Sequence, residues 1–121
     1  VRALVKVSDL VIIPVLPSAF DLKATLNFLE NFRDLKPIRK GKKPFALIRN
    51  RARPESRAVK RFDDSLAALD TTSIGSLTER SLYNEVAWDG IGLFDLTTQK
   101  SAEVQQDWIP IVRFIESRDV A

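Results

Sequence analysis

The chain has 121 residues, the size of one domain, and its 45% hydrophobic and 29% charged residues are typical of a folded globular protein. It contains no Cys and no His, which excludes disulfides, Cys/His zinc sites, thiolate nucleophiles and Ser-His-Asp triads. The lack of Cys fits a reducing compartment. No apolar run approaches the roughly 18 residues that a membrane span requires, so no membrane partner is expected.

The net charge of +3 conceals an uneven distribution of charge along the chain. Residues 33–61 contain twelve Lys and Arg against two acids, a local charge of +10, whereas the rest of the chain carries −7. A basic stretch of this kind can hold the phosphates of a nucleotide or of a nucleic acid. Within it, residues 39–43 are interpreted as a solvated lysine-rich loop.

The first half of the chain alternates between strand and helix patterns. The chain opens in a segment typical of the end of a helix. Residues 10–16 form an apolar, β-branched run that predicts a buried strand, with Pro14 near its end. Ser18 and Asp21 then have the spacing of a capping box. From Asp21 to about Leu35 the apolar residues follow helical spacing, at Leu22, Leu26, Leu29 and Phe32.

The second half continues this alternation. Residues 45–48 predict a second buried strand that ends at 49–51, and residues 71–77 predict a weaker third strand. A helix is predicted after Pro54. Its apolar face consists of Val59, Phe62, Leu66 and Leu69. A short helix at 81–88, a turn at 90–92 and a helix at 102–117 that is interrupted at Pro110 complete the chain.

Strands that alternate with helices predict an α/β fold in which flanking helices cover a parallel sheet, as one unit over residues 1–121. In such sheets ligands bind at the carboxyl ends of the strands. The loops at 14–21 and 49–56 are therefore the expected site.

Three segments, in order, resemble the ParA/MinD-type ATPases, the deviant Walker A P-loop enzymes of plasmid and chromosome partition. Residues 8–22 (SDLVIIPVLPSAFDL) resemble the segment after the Walker B strand of that family. Residues 47–51 (LIRNR) are similar to its strand ending in Asn-Arg, and Ser56-Arg57 to the pair that opens its next helix. Residues 78–86 (TERSLYNEV) resemble its Pro-x-Arg-x-x-Tyr-x-x-Ala loop, with Gly90 at the later glycine position. The chain departs from the family pattern at Leu16, Thr78 and Val86.

The chain contains no G-x-x-x-x-G-K-[ST] motif, so the resemblance is to the C-terminal half of such an ATPase domain. It implies a P-loop NTPase fold in a parent protein that binds ATP and Mg²⁺, forms a homodimer and acts in the cytoplasm. It also implies non-specific DNA and a ParB-like or cargo protein as partners. The phosphate and Mg²⁺ ligands would lie upstream of Val1, so the chain alone is not expected to hydrolyse ATP.

The resemblance assigns Asn50 to the edge of adenine, because an amide offers both a donor and an acceptor; the alternative is an Asn in a turn. Arg51 either lies along the base or pairs with a carboxylate. Pro17 and Asp21 shape the neighbouring loop of the nucleotide site. Asp21 also has the position of a helix cap, where an anion is favourable in itself.

Basic residues around the start of the second predicted helix are candidate DNA contacts, since some family members bind DNA non-specifically through such residues. The candidates are Arg53, Arg57, Lys60 and Arg61, together with Arg80 in the third segment. Cations at a helix N-terminus oppose the helix dipole, which indicates an anionic partner; the alternative is a solvated helix face. Trp88 and Trp108 are interpreted as core or interface anchors rather than base-stacking platforms.

Two other functions remain open. The chain is either a stand-alone, non-catalytic α/β module that binds nucleic acid through its basic stretch, or a receiver-like protein-interaction domain. A receiver needs a cluster of acids at the end of its first strand, and the sequence shows no such cluster there.

Overall fold

The computed structural model of the protein describes residues 1–53, 56–78 and 80–117. Pro54, expected before the second helix, and Glu79, in the third resembling segment, lie outside the described residues. The elements in chain order are α1 (Arg2–Val7), β1 (Val11–Val15), α2 (Ala19–Arg33), α3 (Lys36–Arg39), β2 (Phe45–Ala52), α4 (Arg57–Ala67), β3 (Ser73–Thr78), α5 (Leu82–Asp89), a 3-10 turn (Leu93–Asp95), α6 (Gln99–Gln106) and α7 (Ile109–Glu116).

The three strands of the described chain form one parallel sheet in the order β1-β2-β3. Val11 pairs with Phe45 and Val15 with Arg49, so the carboxyl ends of β1 and β2 lie at the same edge. Pro14 is the fourth of the five residues of β1, near the strand end as predicted. The α/β class, with helices flanking a parallel sheet, is confirmed.

Serine caps fix the starts of the two long helices beside that edge. The backbone N–H of Asp21 donates to Ser18 Oγ at 3.1 Å, and Ser18 Oγ donates to Asp21 Oδ2 at 2.5 Å. At α4 the N–H of Val59 donates to Ser56 Oγ at 3.2 Å. Half of the predicted capping box is present, because Ser18 Oγ accepts the Asp21 N–H, but the Ser18 backbone N–H donates to Leu16 O at 2.9 Å instead of to the Asp21 carboxylate. Helix α2 begins at Ala19 because Ser18 is its N-cap.

Helices α2 and α4 cover one face of the sheet. Leu29 of α2 and Phe62 and Leu66 of α4 are buried against Leu47 of β2, with partly buried residues of β1 around them. A second cluster joins Val5, Phe32 and Ile38 from α1, α2 and α3. The ring of Phe32 links the two clusters through an edge-to-face contact with Phe45, 5.2 Å between centroids.

The carboxyl end of β3 is held by the junction of α6 and α7. The backbone N–H of Thr78 donates to Asp107 Oδ2 at 3.1 Å, and the Thr78 hydroxyl donates to the same oxygen. Gly75 of β3 faces Pro110, whose Cβ would lie 3.5 Å from a Cβ at position 75. The predicted interruption at Pro110 is confirmed, since one helix ends at Gln106 and the next begins at Ile109.

Two local expectations differ from the structure, and a third is narrowed by it. The lysine-rich loop expected at 39–43 begins one residue later, because Arg39 is the last residue of the short helix α3, which has Pro37 in its first turn. Leu69 is 38% exposed because α4 ends at Ala67, before the predicted apolar face is complete. Of the two alternatives for Trp88, its 90% exposure excludes a core position and leaves that of an interface anchor; its side chain lies about 120° around α5 from the buried Leu82.

None of the helices in the described ranges is long and apolar enough to cross a membrane.

Candidate functional site

A groove of about 720 Å³ lies on the face of the sheet opposite α2 and α4. We call it the main groove. Its floor consists of Ile12 and Pro14 of β1, Ile48 of β2 and Leu77 of β3. Successive strand residues point to opposite faces, so Ile12 and Ile48 reach the groove while their neighbours Ile13 and Leu47 enter the core.

Helices α5 and α7 form the wall of the main groove. Tyr83 of α5 and Ile111 and Ile115 of α7 line it, together with Trp108, the N-cap residue of α7. Trp108 Nε1 donates a hydrogen bond to the Tyr83 hydroxyl at 3.1 Å. Both aromatic side chains are half-buried, so this bond fixes the wall where it meets the strand ends.

Polar side chains form the rim of the main groove. Asn50 and Arg51 lie near the end of β2, and Thr78 is the last residue of β3. Arg80 follows β3, and Asn84 lies in the first turn of α5. An apolar floor with a few polar groups at one rim is the usual composition of a small-molecule site, and this volume is within the usual range. The groove also lies at the carboxyl ends of parallel strands, where α/β folds bind ligands.

All three segments of the family resemblance contribute to the main groove. The first supplies Pro14, the second supplies Asn50 and Arg51, and the third supplies Arg80 and Tyr83. These segments are separated by more than 20 residues in the chain, so their meeting at one groove is a property of the fold.

The predicted nucleotide residues divide between two neighbouring cavities. Asn50 and Arg51 line the main groove, whereas Pro17 and Asp21 line a smaller cavity of about 310 Å³. Arg51 lines both cavities. The cap of α2 is Ser18 rather than Asp21, which lies in the first turn of the helix and accepts the Ser18 hydroxyl on its carboxylate. A contact of Asp21 with a ligand stays a prediction.

Arg51 has an unusual backbone conformation. Its φ of +52° lies in the left-handed region, and the pairing of β2 with β3 is irregular between Arg49 and Ala52. For a residue other than glycine this conformation costs roughly 1 kcal/mol or more. The sequence pattern does not indicate the kink, since Arg is not a residue type that favours positive φ.

The predicted DNA contacts do not form a single surface. Arg57, Lys60 and Arg61 are exposed and lie within one turn at the start of α4, and the exposed Arg53 precedes them. Arg80 is also exposed, but it lies at the rim of the main groove. Because α4 covers the opposite face of the sheet, the structure groups Arg80 with Asn50 rather than with the α4 residues.

One polar contact beside the site is not indicated by the sequence. Arg49, adjacent to Asn50, points to the α4 side and forms an ion pair with Asp63, with 2.5 Å between Nη1 and Oδ2. Arg49 Nε is buried and has no hydrogen-bond partner among the described residues. A separation of 14 residues between a strand and a helix matches no local pairing rule, so only the fold reveals this pair.

Within the described part of the chain, no three His, Cys, Asp or Glu side chains lie close enough to hold a metal ion. No protein-family model matches this chain, and no curated protein matches it.

Proposed function

We propose that this chain is the C-terminal portion of a ParA/MinD-type partition ATPase domain, and that its main groove holds the adenine of ATP. The convergence of the three resembling segments on this groove supports the proposal. Each segment alone is a short motif. Their meeting at the carboxyl ends of parallel strands gives the resemblance a common location where a nucleotide would bind.

The chemistry of the groove suits a purine base. The amide of Asn50 can donate to adenine N1 and accept from the N6 amine, which a carboxylate or an ammonium group cannot do together. Ile48 and Leu77 offer apolar contact to the faces of the ring. Tyr83 already accepts a bond from Trp108, so its own hydroxyl hydrogen is available to an acceptor on the base.

The rest of the nucleotide depends on residues that this chain does not contain. ATP, when bound, supplies the phosphoryl group for hydrolysis, but the P-loop that would hold its phosphates and Mg²⁺ belongs to the upstream half of the proposed parent. Homodimer formation, cytoplasmic location and a ParB-like or cargo partner belong to the same proposal. The chain alone should bind a nucleoside weakly and hydrolyse no ATP.

The start of α4 is the proposed DNA surface. Arg57, Lys60 and Arg61 are exposed on one side of the helix, and Arg53 precedes them. Contacts of such residues go to phosphates, so binding should not depend on base sequence. We assign Arg80 to the nucleotide groove instead, because it lies at the groove's rim.

Fluorescence of Trp108 tests the nucleotide proposal. The substitution Trp88→Phe, at a 90% exposed position, leaves Trp108 in the groove wall as the single tryptophan. In that background adenosine should change the Trp108 emission with a dissociation constant of roughly 1 mM or weaker.

A matched pair of asparagine variants makes the test specific. Asn50→Ala should weaken adenosine binding about 10-fold or more, the value of one well-placed polar pair. Asn31→Ala, on the exposed side of α2, should leave it unchanged. Equal binding of cytidine, or an Asn50→Ala variant that binds like its parent, would contradict the assignment of the groove.

A further inference from the structure

The segment 85–95 presents apolar side chains to solvent. Trp88 is 90% exposed and Phe94 is 61% exposed, and Ile91 between them is also exposed. Single exposed apolar residues are ordinary, but three large ones within seven residues of the chain indicate a docking surface. We call residues 85–95 the acidic aromatic segment, for the side chains described below.

This segment is held in one conformation by hydrogen bonds at both ends. Gly90 ends α5 at a φ of +67°, and the N–H of Ile91 donates to Val86 O at 3.0 Å. The side chain of Gln105 in α6 donates to Leu93 O at 3.0 Å and to Leu96 O at 3.1 Å. Aromatic side chains on such a fixed backbone bind a partner with little loss of conformational entropy.

The charged side chains within this part of the sequence have one sign. Residues 82–98 include Glu85, Asp89 and Asp95 and contain no Lys or Arg. Glu85 and Asp89 are exposed and four residues apart on α5, an arrangement that repels within the helix. Asp89, the last residue of α5, also opposes the helix dipole, so a cationic partner at this carboxylate would be favourable.

An exposed indole with carboxylates beside it should bind the guanidinium group of arginine better than the ammonium group of lysine. Arg stacks on the face of Trp, and its fork of donors matches a carboxylate. A lysine ammonium offers neither the planar stacking nor the paired hydrogen bonds. The partner surface should therefore carry arginine side chains.

We propose that the acidic aromatic segment binds the arginine-bearing start of α4, residues 57–61, of a second copy of this chain. That surface carries Arg57, Lys60 and Arg61, all exposed. It belongs to residues 33–61, which carry a charge of +10, whereas the rest of the chain carries −7. The two surfaces lie on opposite sides of the sheet, since α5 borders the main groove and α4 covers the other face. The contact is therefore head-to-tail, and it does not depend on the nucleotide proposal. It uses the same α4 residues as the proposed DNA surface, so DNA and the second copy would compete for them.

Sedimentation velocity of the purified chain tests this contact without nucleotide or DNA. At low salt the average mass should rise with protein concentration and pass beyond the dimer, because a head-to-tail contact leaves a free surface at each end. High salt should return the protein to monomer. Association through the apolar floor of the main groove would instead persist or strengthen with salt, and that result would overturn the proposal.

Two exposed aromatic positions give a matched comparison. Trp88→Ala should abolish the low-salt association, whereas Phe20→Ala, which is also 90% exposed but lies at the start of α2, should associate like the natural chain. Neither side chain belongs to the core, so both variants should fold, which circular dichroism checks. Equal association of the Trp88→Ala variant would overturn the proposal.

A mixture of two monomeric variants identifies the partner surface. The Trp88→Ala chain keeps the α4 surface, and an Arg57→Ala/Arg61→Ala chain keeps the acidic aromatic segment. Each alone should stay monomeric, and together they should form a one-to-one complex. A mixture that stays monomeric would overturn the second copy as occupant. So would a natural chain that stays monomeric at every concentration but binds an added arginine-rich peptide through Trp88.

Discussion

The Arg49 guanidinium and the Asp63 carboxylate form an ion pair, 2.5 Å between Nη1 and Oδ2, that ties the central strand β2 to α4. Arg49 precedes Asn50, and the two side chains point to opposite faces of the sheet. The pair therefore anchors the strand directly beside the proposed base contact. Any shift of this part of β2 would move Asn50 relative to the groove.

Asp63→Asn should lower the free energy of unfolding by about 1 kcal/mol. Arg49 is only 21% exposed and would lose its anionic partner, while the 42% exposure of Asp63 reduces the effect through solvent screening. Urea denaturation measures the change. The matched control is Asp64→Asn, an exposed neighbour with the same change of charge, for which the effect should stay within about 0.5 kcal/mol. Equal effects at both positions would mean that the pair adds nothing to stability.

Tyr83→Phe should also destabilise the protein by about 1 kcal/mol, because Trp108 Nε1 would lose its acceptor at a half-buried position. A double-mutant cycle with Trp108→Phe isolates the bond, and the coupling energy should be about 0.5 to 1 kcal/mol. Additive effects of the two substitutions would show that the hydrogen bond contributes nothing. The cycle is measured by urea denaturation.

Local sequence signals predicted much of the fold. The β-branched run at 10–16 and the Ser18 cap each depend on a few neighbouring residues, so the pattern alone located β1 and the start of α2. Likewise Pro110 separates α6 from α7 because a helix interior cannot accommodate it. The exposure of Trp88 was not predictable, since helical spacing does not tell which side of a short helix meets the rest of the fold.

The candidate site was predictable only in part. Parallel strands bring their carboxyl ends to one edge of the sheet, where α/β folds bind ligands, and this rule located Asn50 and Arg51 at that edge. The division of Pro17 and Asp21 into a second cavity depends on the kink at Arg51 and on the two helix caps. The separation of Arg80 from α4 depends on which face of the sheet each helix covers, and the sequence pattern does not specify it.

Gly90→Ala should cost about 1 kcal/mol of stability. Gly90 has a φ of +67°, a conformation that alanine adopts only with strain, although the space around it is open. Gly75→Ala is the control: its φ is ordinary and the nearest atom, Pro110 Cβ, would lie at a normal contact distance of 3.5 Å. The Gly75 variant should change the unfolding free energy by less than about 0.5 kcal/mol. A larger loss at Gly75 than at Gly90 in thermal or urea denaturation would contradict this ranking.

The double variant Arg57→Ala/Arg61→Ala should weaken binding to all DNA sequences about equally. If two or three phosphates are contacted by each chain, the slope of log affinity against log salt should be roughly −2 to −3, and this variant should bring it close to −1 or 0. Fluorescence anisotropy with two duplexes of unrelated sequence measures both properties. Lys36→Ala/Lys40→Ala removes the same charge from exposed positions in and after α3, and it should keep the original slope. An unchanged slope for the Arg57/Arg61 variant would show that this face of α4 binds no phosphate.

The side-chain amide resonance of Asn50 provides the most direct test of the proposed nucleotide groove. In ¹⁵N-labelled protein, adenosine should shift the Asn50 amide signals and the Trp108 indole signal together, with one dissociation constant, because both side chains line the main groove. The amides of Asn27 and Asn31 on α2 should not move, and cytidine should produce a weaker shift of the Asn50 signal. Shifts confined to the α2 amides, or an Asn50 amide that stays in place as adenosine saturates, would contradict the assignment of this groove to adenine.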